Sequence, residues 1–237
     1  MSKTFGGLLA VDGVELAVAP GERRALIGPN GAGKTTLFNV ISGALAASSG
    51  RIHLFGNDVT RVPQHRRAAL GLTRTFQITN LFPALTVLDN VRLAAQALTP
   101  AKFSMLRAVR RGGELEARAR AALDAVGLAE RATREVRHLS HGEQRQLEIA
   151  LALAGGPRVL LLDEPAAGLS YAESQMMLDL LRRLDPAITL LIIEHDMDIA
   201  LEIAQRVTVL HYGRVIADGP RDQVKADATV REIYLGA

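Results

Sequence analysis

The chain has no cysteine and no tryptophan among its 237 residues. Without thiols, neither a disulfide framework nor a thiolate metal site can form, a composition that suits a reducing compartment. Aromatic residues make up only 4% of the sequence, so an array of rings for stacking nucleic-acid bases is not evident. Long hydrophobic runs are missing as well. The richest stretches, residues 159–162 and 189–193, are strand-length, and no segment is expected to span a membrane as a helix. The first residues carry no charged segment followed by an apolar core, so no export signal is expected. An excess of one charge is also lacking. Lys+Arg exceeds Asp+Glu by 28 to 25, a net +3 that is compatible with an anionic ligand or membrane surface and too small to argue for nucleic acid. Basic residues gather at 61–74 and 107–120, where a solvated helix face is the ordinary reading.

What is present is an ordinary globular composition, 48% apolar and 22% charged, in a chain long enough for one large domain or a domain with an inserted lobe. Its organising stretch is Gly28-Pro29-Asn30-Gly31-Ala32-Gly33-Lys34-Thr35-Thr36. Apolar Ala25-Leu26-Ile27 precedes it and Leu37-Phe38-Asn39-Val40-Ile41 follows, so the pattern predicts a buried strand, a glycine-rich turn and a helix. Glycines let successive backbone N–H groups converge on phosphate oxygens, and the new helix adds the positive end of its dipole. Lys34 then supplies an ammonium for the β- and γ-phosphates, and the Thr35 hydroxyl suits a Mg²⁺ ligand. An ordinary βα turn with a surface lysine is the competing reading, and the motif's position at a strand-to-helix junction argues against it.

Around this cradle, residues 11–18 alternate apolar and polar and predict a strand, which Pro20-Gly21-Glu22 turns into the strand feeding the cradle. Ile52-His53-Leu54-Phe55 predicts a further strand, with Gly56-Asn57-Asp58 as its turn, so a small antiparallel β-layer is expected beside the loop. Phe5, just ahead of Gly6-Gly7, is open to two readings: core packing near a terminus, the ordinary case, or stacking on a nucleotide base. After a predicted strand at residues 72–76 comes Gln77. From there to residue 157 the pattern is helical, with no convincing strand, which gives an expected division into a catalytic α/β core of 1–77 and 158–237 and a helical subdomain of 78–157. Within that helical stretch Ser140-His141-Gly142-Glu143 has capping-box spacing. The helix it opens carries Leu147, Ala150, Leu151 and Ala154 on one face. Capping accounts for Ser140 by itself, and its helix end is also a second potential anion site.

Strand patterns then return at 159–162, ending in Asp163-Glu164-Pro165, and at 189–193, ending in Glu194-His195-Asp196. A hairpin is expected around Tyr212-Gly213, and a single short helix over residues 224–234. In an open parallel sheet, ligands collect beyond the carboxyl ends of the strands, where the cradle, Asp163-Glu164 and His195 would all converge. Neighbouring residues on extended chain point to different sides, so Asp163 and Glu164 divide the work. Asp163 suits holding Mg²⁺ through water with Thr35 as direct ligand. Glu164 can deprotonate or orient the attacking water, and His195 can hydrogen-bond the γ-phosphate. Gln77 can complete the shell of the ion and water. The expected chemistry is Mg-ATP hydrolysis rather than transfer to a small acceptor, since no acceptor pocket or lid is legible. Transfer to an acceptor, as in a P-loop kinase, is the competing reading.

Together these motifs resemble an ABC-type ATPase over essentially the whole chain. Residues 28–35 resemble the Walker A loop, Gln77 the Q-loop, Leu139-Ser140-His141-Gly142-Glu143-Gln144 the family signature, residues 159–164 the Walker B strand with its catalytic glutamate, and His195 the switch histidine. The resemblance implies that Phe5 stacks on adenine, and that Ser140 and Gly142 of one subunit close on the γ-phosphate held by the other's Lys34 in a head-to-tail dimer. Phe5-Gly6-Gly7, Glu164-Pro165-Ala166-Ala167-Gly168-Leu169-Ser170 and Glu194-His195-Asp196-Met197-Asp198 are similar to the ATPases of branched-chain amino acid importers. That implies two transmembrane permease subunits, a sister ATPase or second copy, an extracytoplasmic substrate-binding protein, and a peripheral place on the cytoplasmic face of the inner membrane. Urea or amide importers and the lipopolysaccharide-export ATPase share much of the same wording. A soluble ABC ATPase acting on nucleic acid or ribosomes is the reading from another class, and lacks the second cassette or long coiled-coil insertion many of those carry.

Three departures from the family pattern stand out. His141 takes the second place of the commoner Ser-Gly-Gly signature, and Ser170 stands where many relatives carry the D-loop aspartate. Only four residues precede Phe5, so either the start lies upstream or the β-layer is expected to lack an edge strand.

Overall fold

A computed structural model describes residues 1–75, 81–97, 99 and 113–235. In chain order it runs β1 (Lys3–Phe5), β2 (Leu8–Val11), β3 (Arg23–Ile27), α1 (Lys34–Ser42), β4 (His53–Leu54), β5 (Asn57–Asp58), α2 (Gln64–Ala69) and β6 (Leu72–Arg74). Then follow α3 (Val87–Ala97), α4 (Glu114–Ala125), two 3-10 turns and α5 (His141–Leu153). The chain continues through β7 (Val159–Asp163), α6 (Tyr171–Arg183), β8 (Thr189–Ile193), α7 (Met197–Ile203), β9 (Arg206–His211), β10 (Arg214–Pro220), α8 (Arg221–Ala226) and α9 (Ala228–Leu235).

Six strands form one sheet in the order β10-β9-β3-β8-β7-β6. All neighbours are parallel except the β9–β10 hairpin at one edge. Both faces are covered, as a parallel sheet requires, so its central strands are apolar on both sides. Leu160, Leu162, Leu190 and Ile192 join α3, α4, α5 and α6 in one core. Leu26, Leu161, Leu191 and Ile193 pack with Leu37 and Phe38 of α1 on the other. Ala25, Ile27, Val207 and Val209 meet Ala200, Val224 and Val230 in a third. Each fully buried leucine or phenylalanine contributes about 1.5–3 kcal/mol. Among the described residues, no helix is long and apolar enough to cross a membrane.

β6 and β7 are direct neighbours, so the chain between them leaves the sheet and returns to an adjacent place in it. The regular elements among the described residues of that excursion are helices, joined by turns and loops, with one isolated bridge between Thr86 and Glu135.

Several local expectations are corrected. Residues 12–20 form no strand, and the ladder lies earlier, in β2 paired antiparallel with β1. Gly13 turns the chain at φ 59, and Val14 drops into the core with Met1 as its backbone partner. The alternation there records burial without a ladder. β1 itself supplies the outer strand that the short leader made doubtful. Asn57-Asp58 belongs to a strand, with Phe55 and Gly56 at positive φ making the turn. The C-terminal helix is two, because the Asp227 carboxylate accepts the Val230 N–H and starts α9 afresh.

Candidate functional site

β3 delivers the chain into the loop of residues 28–33, and α1 carries it away. Two glycines there are dictated by crowding. A Cβ on Gly28 would lie 2.2 Å from the Leu210 carbonyl oxygen, and one on Gly33 2.4 Å from that of Ala10, and both residues have positive φ. The turn of the β9–β10 hairpin braces the loop, since the Gly213 N–H donates to Ala32 O at 2.9 Å. α1 starts without a cap: Gly33 offers no side chain, and the first turn holds no acidic residue. α5 and α6, by contrast, each begin with a complete Ser/Glu capping box. The uncapped amides and dipole of α1 therefore remain for an anion. A cavity of about 430 Å³ lies elsewhere, and the one at the cradle measures about 370 Å³, walled by Phe5, residues 30–36, Glu164 and Tyr212. Phe5 stands 45% exposed at this cavity, outside any core.

Lys34 is buried, and its Nζ donates to the carbonyls of Gly28 at 2.5 Å and Pro29 at 3.1 Å. Burial pushes its ammonium pKa down, while the charges of Glu164 and Asp163 hold it up. Those two carboxylates thus share the electrostatic environment of the cradle. They come from the end of β7, and His195 follows β8, which lies between β7 and β3. The three strand ends are level: Ile193 pairs with Leu26 on one side and Asp163 on the other.

Asp163 and Glu164 diverge for a backbone reason. Asp163 ends the strand and is buried, with Oδ2 2.7 Å from the Arg74 guanidinium. Glu164 has φ 48, a left-handed conformation that costs a non-glycine residue about 1–2 kcal/mol and swings it out of the strand direction. Its carboxylate lines the cradle cavity and lies 3.8 Å from His195 Nδ1. The His195 side chain is 57% exposed, facing outward at this edge.

Among the described residues, no group of three His, Cys, Asp or Glu side chains can hold a metal ion. A Mg²⁺ ion keeps several waters and takes one or two protein oxygens beside phosphate oxygens. Thr35 and Asp163 are the hard-oxygen donors on hand, and Thr35 and Thr36 both line the cavity. Gln77 lies outside the described residues. Ser140 and Gly142 sit away from the cradle, lining the separate 430 Å³ depression at the start of α5. Ser140 caps Glu143 N–H while Glu143 caps Ser140 N–H.

The family model for ABC transporters matches residues 11–167. The chain belongs to the ABC transporter family. A second model, described as a branched-chain amino acid ATP-binding cassette transporter, matches residues 214–237. The cassette is 39% identical over 244 residues to the high-affinity branched-chain amino acid transport ATP-binding protein BraF of Pseudomonas aeruginosa, covering 100% of this chain and 95% of that one. It is 41% identical over 239 residues to LivG of Escherichia coli K12, which bears the same description, covering 98% and 94%. Its fold matches the ADP conformation of MJ1267, an ATP-binding cassette of an ABC transporter, with a TM-score of 0.86 and 32% identity over 100% of this chain and 96% of that chain. It matches cbiO1 of Clostridium perfringens, part of the ABC transporter complex cbiONQ, with a TM-score of 0.83 and 29% identity over 99% and 92%.

Four residues of this cassette's sites escaped the sequence reading. Arg74 ends β6 and ties Asp163 to Asn39 of α1; its one signal was a charge in an otherwise uncharged strand. Tyr212, 81% exposed at positive φ, walls the cradle cavity from the hairpin turn. Glu173 completes a second capping box, which Ser170-Tyr171-Ala172-Glu173 spells out. Glu194, fully buried beside His195, gave no signal beyond a charge after an apolar run.

Proposed function

We propose that this cassette is the ATP-hydrolysing motor subunit of an importer for branched-chain or related amino acids, acting as a head-to-tail dimer on the cytoplasmic face of the membrane. The observation that carries it is the uncapped, glycine-walled start of α1 beside Glu164 and His195 on neighbouring strand ends. The names of BraF and LivG support the choice of solute, and the match at residues 214–237 supports it independently of the nucleotide motifs.

In this reading residues 28–36 wrap the triphosphate and Phe5 stacks on adenine. Lys34 exchanges its two loop carbonyls for phosphate oxygens. Thr35, Asp163 and Gln77 hold Mg²⁺, which when bound neutralises phosphate charge. Glu164 takes the proton from the attacking water, and His195 donates to the γ-phosphate as charge develops there. Ser140 and Gly142 act in trans, on the nucleotide of a sister ATPase or second copy. We assign 1–77 and 158–237 to the catalytic core and 78–157 to a helical, signature-bearing subdomain that relays dimer closure to two permease subunits. The extracytoplasmic binding protein is met only through them.

Glu164→Gln tests the chemistry. Nucleotide binding should persist while phosphate release falls about 10²–10⁴-fold, and ATP should drive the variant into a stable dimer on gel filtration. Turnover close to that of the parent would remove Glu164 from the role of base.

A further inference from the structure

α5 and α6 start alike, each with a serine cap and a glutamate three residues on, but one of the glutamates also reaches beyond its own helix. Glu173 Oε2 accepts from the Ser170 N–H at 3.0 Å and the Ser170 hydroxyl at 2.7 Å. Its Oε1 accepts the Gly142 N–H at 3.3 Å. Gly142 is the second residue of α5, so this N–H belongs to the first turn, where no helical carbonyl is available to it. Glycine is what admits the contact, for a Cβ there would lie 2.9 Å from the same Oε1. The hydrogen bonds from the Ser170 hydroxyl and N–H, with smaller help from the Gly142 N–H and His141, hold the Glu173 carboxyl below its ordinary range, so the group on Gly142 is an anion at neutral pH.

We propose that Glu173 is a resident anion on the start of α5, which the γ-phosphate held by a partner subunit must displace before the dimer closes. The inference rests on the in-trans reading of Ser140 and Gly142. One N–H cannot serve a carboxylate and a phosphate at full strength, and two anions side by side at one helix end repel. Glu173 therefore opposes closure and raises the ATP concentration that closure needs. Because Oε2 stays anchored on Ser170, displacement of Oε1 pulls on the segment running from Glu164 to Ser170. The same carboxylate thus reports arrival of a partner's nucleotide to the loop that carries this subunit's own base.

The test follows dimer formation against ATP concentration by light scattering, in the Glu164→Gln background so that nucleotide survives. Glu173→Gln keeps a capping box, because glutamine serves at that position, but its single oxygen cannot face both Ser170 and Gly142. The half-point for dimerisation should fall about tenfold. Glu173→Asp, one methylene shorter, should lower it as well. Ser170→Ala loosens the cap while leaving the carboxylate, and should not lower it. An unchanged or raised half-point in both Glu173 variants overturns the proposal, as does an equal fall in Ser170→Ala. If the Glu164→Gln parent itself forms no dimer with ATP, the in-trans reading fails and takes this proposal with it; if that parent dimerises and the Glu173 variants match it, this proposal alone falls.

Discussion

Glu194 shows how much a single residue can impose on the whole. It is fully buried at the end of β8, neither carboxylate oxygen has a hydrogen-bond partner, and burial pushes its pKa up to about 7 from an ordinary 4.5. The charges of Glu164 and Asp196 push the same way, and the nearby backbone amides of Ala166 and His195, which make no well-formed hydrogen bond to it, offset the rise only in part. Because the folded pKa lies above the unfolded one, the associated stability is fully present below about pH 4.5 and is lost as pH rises through about 7. Glu194→Gln cannot ionise. Its stability relative to the parent should therefore climb between pH 5 and pH 8, by roughly 3 kcal/mol at most, in paired urea melts. A difference that stays flat across that range contradicts the account. Glu164 illustrates the other cost borne at this edge. Its left-handed backbone is strained, and what that strain achieves is separation of two adjacent carboxylates, one toward Arg74 and one toward the cradle.

At the scale of elements, α1 is held at its far end by a residue of another helix. Arg67 of α2 is 1% exposed, and its guanidinium donates to Val40 O, Ile41 O, Val62 O and Thr60 O. It thus satisfies carbonyls at the C-terminus of α1 and sets a positive charge against the negative end of its dipole. Arg67→Met should lower the urea midpoint by the equivalent of about 3 kcal/mol with an unchanged slope. The elements themselves were largely legible in the sequence, since β7 and β8 are continuous apolar runs between turn residues and only a doubly covered sheet needs such runs. The capping box at Ser140 was legible because its partners are three residues apart. What escaped reading was of two kinds, local signals without a second cue and contacts between distant partners. Asp227 restarts the last helix through a cap only three residues long with no glutamate partner to mark it, and residues 11–18 alternate although residues 12–18 pair with no strand. Glu173 meets Gly142 across 31 residues, and Arg74 meets Asp163 across 89. For the candidate site, the chemical types could be read from the motifs, but the adjacency of β3, β8 and β7 is a result of topology that no local pattern encodes.

For the whole molecule, the surface after β6 bears on partners. Phe82 is 55% exposed while its backbone is clamped by buried Asn90, which accepts its N–H and donates to its carbonyl. Leu81 beside it packs against the core shared by α3, α4 and α5. A ring fixed outward on a rigid base suits a docking anchor for the proposed permeases. Phe82→Ser should leave ATP hydrolysis by the isolated cassette intact and weaken co-purification with the permeases, by about 2 kcal/mol or roughly thirtyfold in affinity. Full retention of the complex would exclude that surface. The level row of Leu26, Ile193 and Asp163 has a final consequence for how such a chain can vary. Insertions into its surface turns leave the pairing frame intact, whereas one residue added to or removed from β8 would invert every side chain beyond it. Descendants of this sequence are free to lengthen their loops, but the number of residues between the start of β8 and its imidazole is not theirs to change.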